Sequence, residues 1–549
     1  MEREADGLAP NSLLLGIPEE NGSELDEERT VDQKGIRRSS SSKVVAELKK
    51  QLWLAGPLIL VNLLEYSVQT ISIMFTGHVG ELELSSASIA NSFATVTGFS
   101  LLTGMGSALE TLCGQSYGAE QYHMLGIHMQ RAMFVLSIVC IPVTFIWAHT
   151  GRILLAVGQD PDISAEAGRY ACFMIPSLFA YGLLQCQLSF LQTQNIVFPM
   201  MIAAGLTTLL HIPVCWVLVF KSALGYRGAA LAISISYWIN VLLLALYIKF
   251  SPNFKRTWTG FSIVSLLGVL NFLRHAIPSA LMICLEFWSF DMMVIFAGCL
   301  PNSKLEISVI SISHNTAANL FLIPFGLGGS VSTRVSNELG AGHPQATRLA
   351  VQVVLFMAFT WSILIGLIMI FVRKAWGYVY SNEEEVSRYI ATMMPLLAIS
   401  NFLDGIQSVL SGTARGCGWQ KIGAFINLAS FYFVGIPSSI LFAFILHTGG
   451  KGLWLGYICA LIVQVLSLLV ITIRTNWEEE AKNATCRVYE SIIPTDVTHE
   501  AELLTLVRTR KIDPTEMELG SQELTTIDAD AIIRETNNMS TTNIPRTHN

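Results

Sequence analysis

Charged side chains are scarce in this chain. Asp, Glu, Lys and Arg make up 14% of it, against roughly a quarter in a typical soluble protein. That excludes an ordinary water-soluble globule as the whole molecule. The ten cysteines are scattered, with no CxxC and no Cys/His cluster, so neither a metal site nor a disulfide framework is indicated. GxxxxGK[ST] is absent, which argues against a built-in ATPase, and HExxH is absent, which removes the commonest zinc-protease signature. No cofactor is implied. A cleavable signal peptide is not expected, because the first fifty residues are polar and acidic. The first apolar span then serves as the insertion signal.

What is present is apolar length. Hydrophobic residues make up 52% of the chain and lie between two polar tails. Twelve segments reach the roughly 20 residues needed to cross a bilayer: about 50–77, 84–113, 127–149, 163–192, 196–220, 226–249, 267–298, 305–336, 347–372, 385–413, 422–446 and 451–474. The expected fold is therefore an all-α polytopic membrane protein of twelve helices. An even number of spans puts both termini on one side. Lys34, Arg37, Arg38, Lys43, Lys49 and Lys50 precede the first span, and Lys249, Lys255, Arg256 and Arg274 flank the loop between spans 6 and 7. By the positive-inside rule that side is cytoplasmic. Residues 1–49 and 475–549 read as disordered tails. The sequons at Asn483 and Asn538 go unused if the C-terminal tail is cytoplasmic. The serines of 39–42, next to Arg37 and Arg38, are a candidate phosphorylation run beside the membrane.

The chain also repeats itself. Pro57, Leu64, Glu65 and Gly77 fall on Pro278, Leu285, Glu286 and Gly298 at one offset. Further on, Phe99, Gly104, Gly106, Thr111 and Gly118 fall on Phe321, Gly326, Gly328, Thr333 and Gly340. Arg169, Tyr170 and Pro176 then match Arg388, Tyr389 and Pro395, and Pro213, Gly225 and Gly228 match Pro437, Gly449 and Gly452. Chance does not keep Pro and Gly in order over six spans. The expected units are an N-terminal half, 50–249, a cytoplasmic linker, 250–268, and a C-terminal half, 269–474. Six spans each give both halves the same orientation. They form two bundles related by a pseudo-two-fold axis along the membrane normal, with a cavity between them.

Acids inside such spans need a reason, since one at mid-membrane costs about 2.5–3.5 kcal/mol on insertion scales. Glu286 is mid-span in "MICLEFWSFDMMVIF", and Asp404 is deep in "NFLDGIQSVLSG". Asp291 follows Glu286 by five residues, on another face of the helix. Glu65 is the repeat partner of Glu286, whereas the partner of Asp404 is Gln185. The second half thus reads as the main coupling half. A buried acid whose cavity opens alternately to two aqueous phases loads a proton from one and releases it to the other. The candidate proton-coupling residues are Glu286, Asp404, Asp291 and Glu65, with Pro278 as a helix hinge. Gln69, Gln185, Asn315, Asn319 and Gln407 bond either a substrate or one another. Tyr66, Tyr181 and Trp288 either stack on a planar or cationic substrate or pack in the core. Gly412-x-x-x-Gly416 reads as a close-packing point. No Arg or Lys is visible mid-span, which disfavours an organic-anion cavity.

The stretches "GFSLLTGMGSALETLCGQSYGA", "MICLEFWSF", "STRVSNELGAG", "DGIQSVLSGTARGCGWQ" and "GIPSSILFAF" resemble the multidrug and toxic compound extrusion (MATE) family, most closely its plant, DETOXIFICATION-type branch. The resemblance covers about residues 45–480. It implies proton-coupled export of alkaloids, flavonoids, xenobiotics or similar compounds from the cytosol, across the plasma or vacuolar membrane. It also implies that the family's helix-7 Glu and helix-10 Asp are Glu286 and Asp404. Glu65 receives no role from it. The partners implied are the bilayer, protons and a small organic substrate, with no nucleic acid, acting on a monomer that is not an enzyme. A sodium-coupled exporter and a citrate-type organic-anion exporter would use the same scaffold.

Overall fold

An apolar segment in lipid has no water to satisfy its backbone, so it closes its hydrogen bonds internally as a helix. The structure, a computed structural model, describes residues 22–380 and 383–492; Asn538 lies outside them. The helices are α1 (Gly22–Gly77), α2 (81–118), α3 (Tyr122–Ala148), α4 (Pro161–Thr193), α5 (Phe198–Lys221), α6 (Arg227–Phe250), α7 (Val269–Ala297), α8 (Ser303–Gly340), α9 (Pro344–Trp376), α10 (Glu384–Cys417), α11 (Gln420–Ile445), α12 (Gly450–Arg474) and a terminal α13 (Trp477–Ile492). The first twelve match the twelve apolar segments, and α1–α6 pair in order with α7–α12.

Local chemistry sets the ends. Asp160 caps α4, accepting from the backbone N–H of Asp162 and Ile163 at 3.0 and 3.1 Å, with Pro161 at the first helical position. Gly418, at φ +83°, ends α10 in the left-handed conformation that glycine adopts without strain. Pro57, Pro176, Pro213 and their counterparts Pro278, Pro395 and Pro437 lie inside helices. α7 runs unbroken through Pro278.

Ten of the twelve helices are long and apolar enough to span a membrane by those measures alone; α2 and α8 are not. α2 contains a π-helical turn at Thr95–Phe99 and a break at Ser107. α8 carries His314, Asn315, Asn319, Arg334 and Asn337. Both helices pack between the halves, where a polar side chain meets protein instead of lipid. Elsewhere the outward faces are apolar: Phe134, Ile138, Ile141 and Phe145 form one exposed stripe along α3, as a lipid-facing helix requires.

The halves are shut on the side that carries the start of α1 and the end of α12. Gly104 lies so near α7 that an added Cβ would sit 2.6 Å from the Cα of Ala280. Within the C-terminal half, Cβ atoms at Gly412 and Gly416 would run into the carbonyls of Gly328 and Ser332, so that pair of glycines packs α10 on α8. Asn337 donates to the Thr193 carbonyl at 3.0 Å, and Gln192 donates to the Gly329 carbonyl and to Thr333 Oγ1, both at 3.1 Å. Arg334 grips Glu47 through two bonds of 3.0 and 3.1 Å. Glu47 is buried, so α1 is ordered and packed before residue 50, the boundary read from composition.

The segment after each sixth helix docks on its own half. The linker is held on α3 by Gln130 and Arg131: Ser262 N–H donates to Gln130 Oε1 at 2.8 Å, and Arg131 donates to the Ser265 carbonyl at 3.2 Å. After α12, α13 occupies residues that read as disordered tail. Its Trp477 lies 6.4 Å from Trp419, ring to ring. Its Arg487 donates to the Cys417 carbonyl at 2.7 Å and, across the seam, to Gln115 Oε1 at 3.2 Å.

Candidate functional site

Among the described residues, two of the cavities lie between the halves. The larger, about 100 Å³, is lined from α1, α2 and α4 by Asn62, Glu65, Ser107, Glu110, Tyr181 and Gln185, and from the other half by Ile283, Phe325 and Arg415. The smaller, about 20 Å³, is walled by Glu286, Phe287, Phe321, Phe325, Gln407, Ser411 and Arg415. It has room for a water molecule or so.

Glu286 is held by side chains that carry no charge. Its Oε2 accepts from Gln407 Nε2 at 2.9 Å and from Asn427 Nδ2 at 3.5 Å. Asn427 also donates to the Met282 carbonyl at 2.7 Å and accepts from Gln464 at 2.8 Å. Gln407 further reaches Ser411 Oγ at 3.0 Å. Asp404 is buried one turn from Gln407 and accepts from the Tyr457 hydroxyl at 3.1 Å; it is within electrostatic reach of Glu286. Helices α7, α10, α11 and α12 thus bring two acids, three amides and a phenol into one cluster. Such a set accepts either charge state of the acids: an amide rotates to offer N–H or C=O, and a hydroxyl donates or accepts.

The other candidates separate. Asp291 faces His314 Nε2 at 3.4 Å, with Phe290 stacked on that imidazole at 4.1 Å between centroids; it is not in the Glu286 cluster. Glu65 lines the larger cavity, and its Oε1 is buried without a hydrogen-bond partner. Tyr181 and Gln185 line the same cavity, Tyr181 sharing a 2.9 Å hydrogen bond with Thr103. Gln69 instead bonds the Tyr237 hydroxyl at 3.1 Å. Trp288 donates its indole N–H to the Val96 carbonyl at 2.8 Å, inside the π-helical turn of α2. A π turn displaces carbonyls from regular helical bonding, and this one takes donors from Ser100 Oγ of α2 and from α7. Asn315 and Asn319 are exposed, with Asn319 bonded back to the Asn315 carbonyl at 2.8 Å. Tyr66, Gln69, Trp288, Asn315 and Asn319 line neither cavity.

Among the residues of the site not singled out in the sequence are Glu110, Arg415, Asn427, Tyr457 and Gln464. Asn427 and Gln464 carried the available signal, a lone amide within an apolar run. Arg415 lies two residues past the span read as 385–413. α10 continues to Cys417, so Arg415 sits in its last turn and lines both cavities. Its positive charge is not free, because Nε bonds Glu110 Oε2 at 3.1 Å.

Comparison with known proteins bears on the whole arrangement. The MatE family model matches residues 57–217 and again 278–441, so the two matches begin at the paired prolines Pro57 and Pro278. Protein DETOXIFICATION 16 of Arabidopsis thaliana is 61% identical over 450 residues, which are 82% of this chain and 93% of that protein. Protein DETOXIFICATION 17 of the same plant is 56% identical, over 82% of this chain and 94% of its own length. A crystal structure of the eukaryotic MATE transporter AtDTX14 aligns with a TM-score of 0.79 at 46% identity, covering 81% of this chain and all (100%) of that one.

Proposed function

The chain belongs to the MatE family, and on that premise we propose that it exports small organic compounds from the cytosol in exchange for protons, by alternating access. The observation that carries the coupling is the setting of Glu286: a carboxyl on the wall of a water-sized cavity, held by uncharged partners and close to a second acid. With the termini in the cytosol, the shut side is the cytosolic side. In this conformation Glu286 and Asp404 take protons from the far side. Neutralising them weakens contacts with a bound substrate, and α7 yields near Pro278. The halves then rock, the protons leave to the less acidic cytosol, and the recharged cavity accepts the next substrate. Glu65, Tyr181 and Gln185 of the larger cavity supply its polar and aromatic contacts. Arg415 is engaged by Glu110, so the cavity offers a cation or a neutral polyphenol more than an organic anion. A membrane potential adds about 2.3 kcal/mol per charge per 100 mV, enough to run the exchange uphill.

The test is uptake by proteoliposomes of the purified protein, with a panel of alkaloids, flavonoids and xenobiotic cations. A pH gradient without sodium should drive accumulation. Uptake that follows a sodium gradient and ignores pH would replace protons by sodium on the same scaffold.

A further inference from the structure

Among the buried charges of the seam, Arg415 alone lines both cavities as well as an inter-half ion pair. It sits in the last turn of α10, where a cation complements the helix dipole. Its backbone is fixed from the other half, since Thr111 Oγ1 donates to its carbonyl at 2.5 Å. Its guanidinium bonds Glu110 of α2 across the seam, and the pair is nearly dry, with 6% of the Arg415 side chain and 12% of the Glu110 side chain exposed. On its other flank Arg415 shares the small cavity with Glu286 and lies within electrostatic reach of it.

We propose that Arg415 changes partners during the cycle: it holds Glu110 while the terminus side is shut, and turns to Glu286 when the halves part. The inference rests on the proton-coupled reading above and goes beyond it, by naming the group that makes the two conformations treat Glu286 differently. With the seam shut, Arg415 is committed to the opposite half, and Glu286 has Gln407, Asn427 and Gln464 for company. Parting α2 from α10 breaks the Glu110 bond. A buried arginine left without its anion is costly, and Glu286 is the carboxyl within its own half that shares a cavity with it. A guanidinium beside a carboxyl stabilises the charged form, so the proton of Glu286 passes to cavity water on the side then open. Glu110, now alone on the other half, presents a carboxylate to a cation arriving from that side. The other charged and titratable groups around the path include Asp404 and Tyr457 beside Glu286, Glu65 and Tyr181 on the larger cavity, and Arg487, which is held by Gln115 and Glu480. None of these spans both acids as Arg415 does.

The test compares Glu110→Gln with the double variant Glu110→Gln/Arg415→Gln in full-length protein. Hydrogen exchange along Ala108–Gly118 and the second half of α8 reads the seam, and pH-driven uptake reads the cycle. Glu110→Gln should speed exchange at the seam by on the order of a hundredfold, as loss of a buried pair implies, while uptake falls but stays measurable. The double variant should leave the seam no looser yet bring uptake to background, because Glu286 has lost its second partner. Arg415→Lys, which keeps the charge in a smaller group, should fold and retain partial uptake. A double variant that transports as well as Glu110→Gln overturns the partner change, as does wild-type seam protection in Glu110→Gln. Glu286→Gln in the same assay separates the two levels. If it transports like the wild type, the proton-coupled reading fails on its own account, whatever the seam does.

Discussion

The partners of each buried acid separate structural carboxylates from mobile ones. Glu47 and Glu110 each meet an arginine, Arg334 and Arg415. Removing one member of such a pair costs about 3–5 kcal/mol, so these two acids hold the seam together. Glu286 and Asp404 meet amides and a phenol, which bond a neutral carboxyl nearly as well as a charged one. In the proposed cycle those two change state without unmaking the fold. Asp404→Asn should therefore fold normally and bring pH-driven uptake close to background, and Asp404→Asn/Glu286→Gln should be little worse than either single change, since both acids serve one step. Reconstituted uptake at matched protein amounts checks this; a double variant that loses far more than either single one, when each single retains activity, would give the acids separate steps. Glu286 and Asp404 were legible in the sequence because an acid in an apolar run stands out. Arg415 and Glu110 were not, because a charge near the end of a span reads as interfacial, and no local pattern joins residues 305 positions apart.

At the scale of helices, apolar runs located the spans, but not the start of α1, which extends well before residue 50. α2 and α8 were legible through the repeat more than through hydropathy, because they trade lipid contact for the seam. α13 was missed for a physical reason. Its first turn, Glu478 to Glu480, looks like a solvated tail, and its ordering depends on carbonyls exposed at the far end of α10. Arg487 carries much of that docking. Arg487→Ala removes bonds to Cys417, Gln115 and Glu480, and hydrogen bonds to charged groups contribute about 1.5–3 kcal/mol each. The variant should unfold at lower temperature in detergent and show faster exchange in Trp477–Ile492. An unchanged melting profile would mean that α13 is held by its apolar face alone.

For the molecule as a whole, the repeat organises the fold, and in the proposed function the departures from it carry the coupling. α7 and α10 hold Glu286 and Asp404, whereas their counterparts hold Glu65 and Gln185, and Glu65 lacks the amide cradle. The positive-inside reading puts the shut side in the cytosol. Protease added to the cytosolic side of sealed vesicles should then digest both tails, with Asn483 unglycosylated; a glycan at Asn483 would invert the arrangement and with it the direction of transport. Glu286 stands at the centre of the cluster and of the proposed cycle, so its substitution is the most direct test. Glu286→Gln keeps the shape, removes a buried charge, and should insert and fold at least as well as the wild type. In a pH-jump experiment on purified, reconstituted protein, its uptake of an accepted substrate should lie close to background. Uptake at the wild-type rate with the wild-type pH dependence would make Glu286 a structural acid and place the proton path elsewhere.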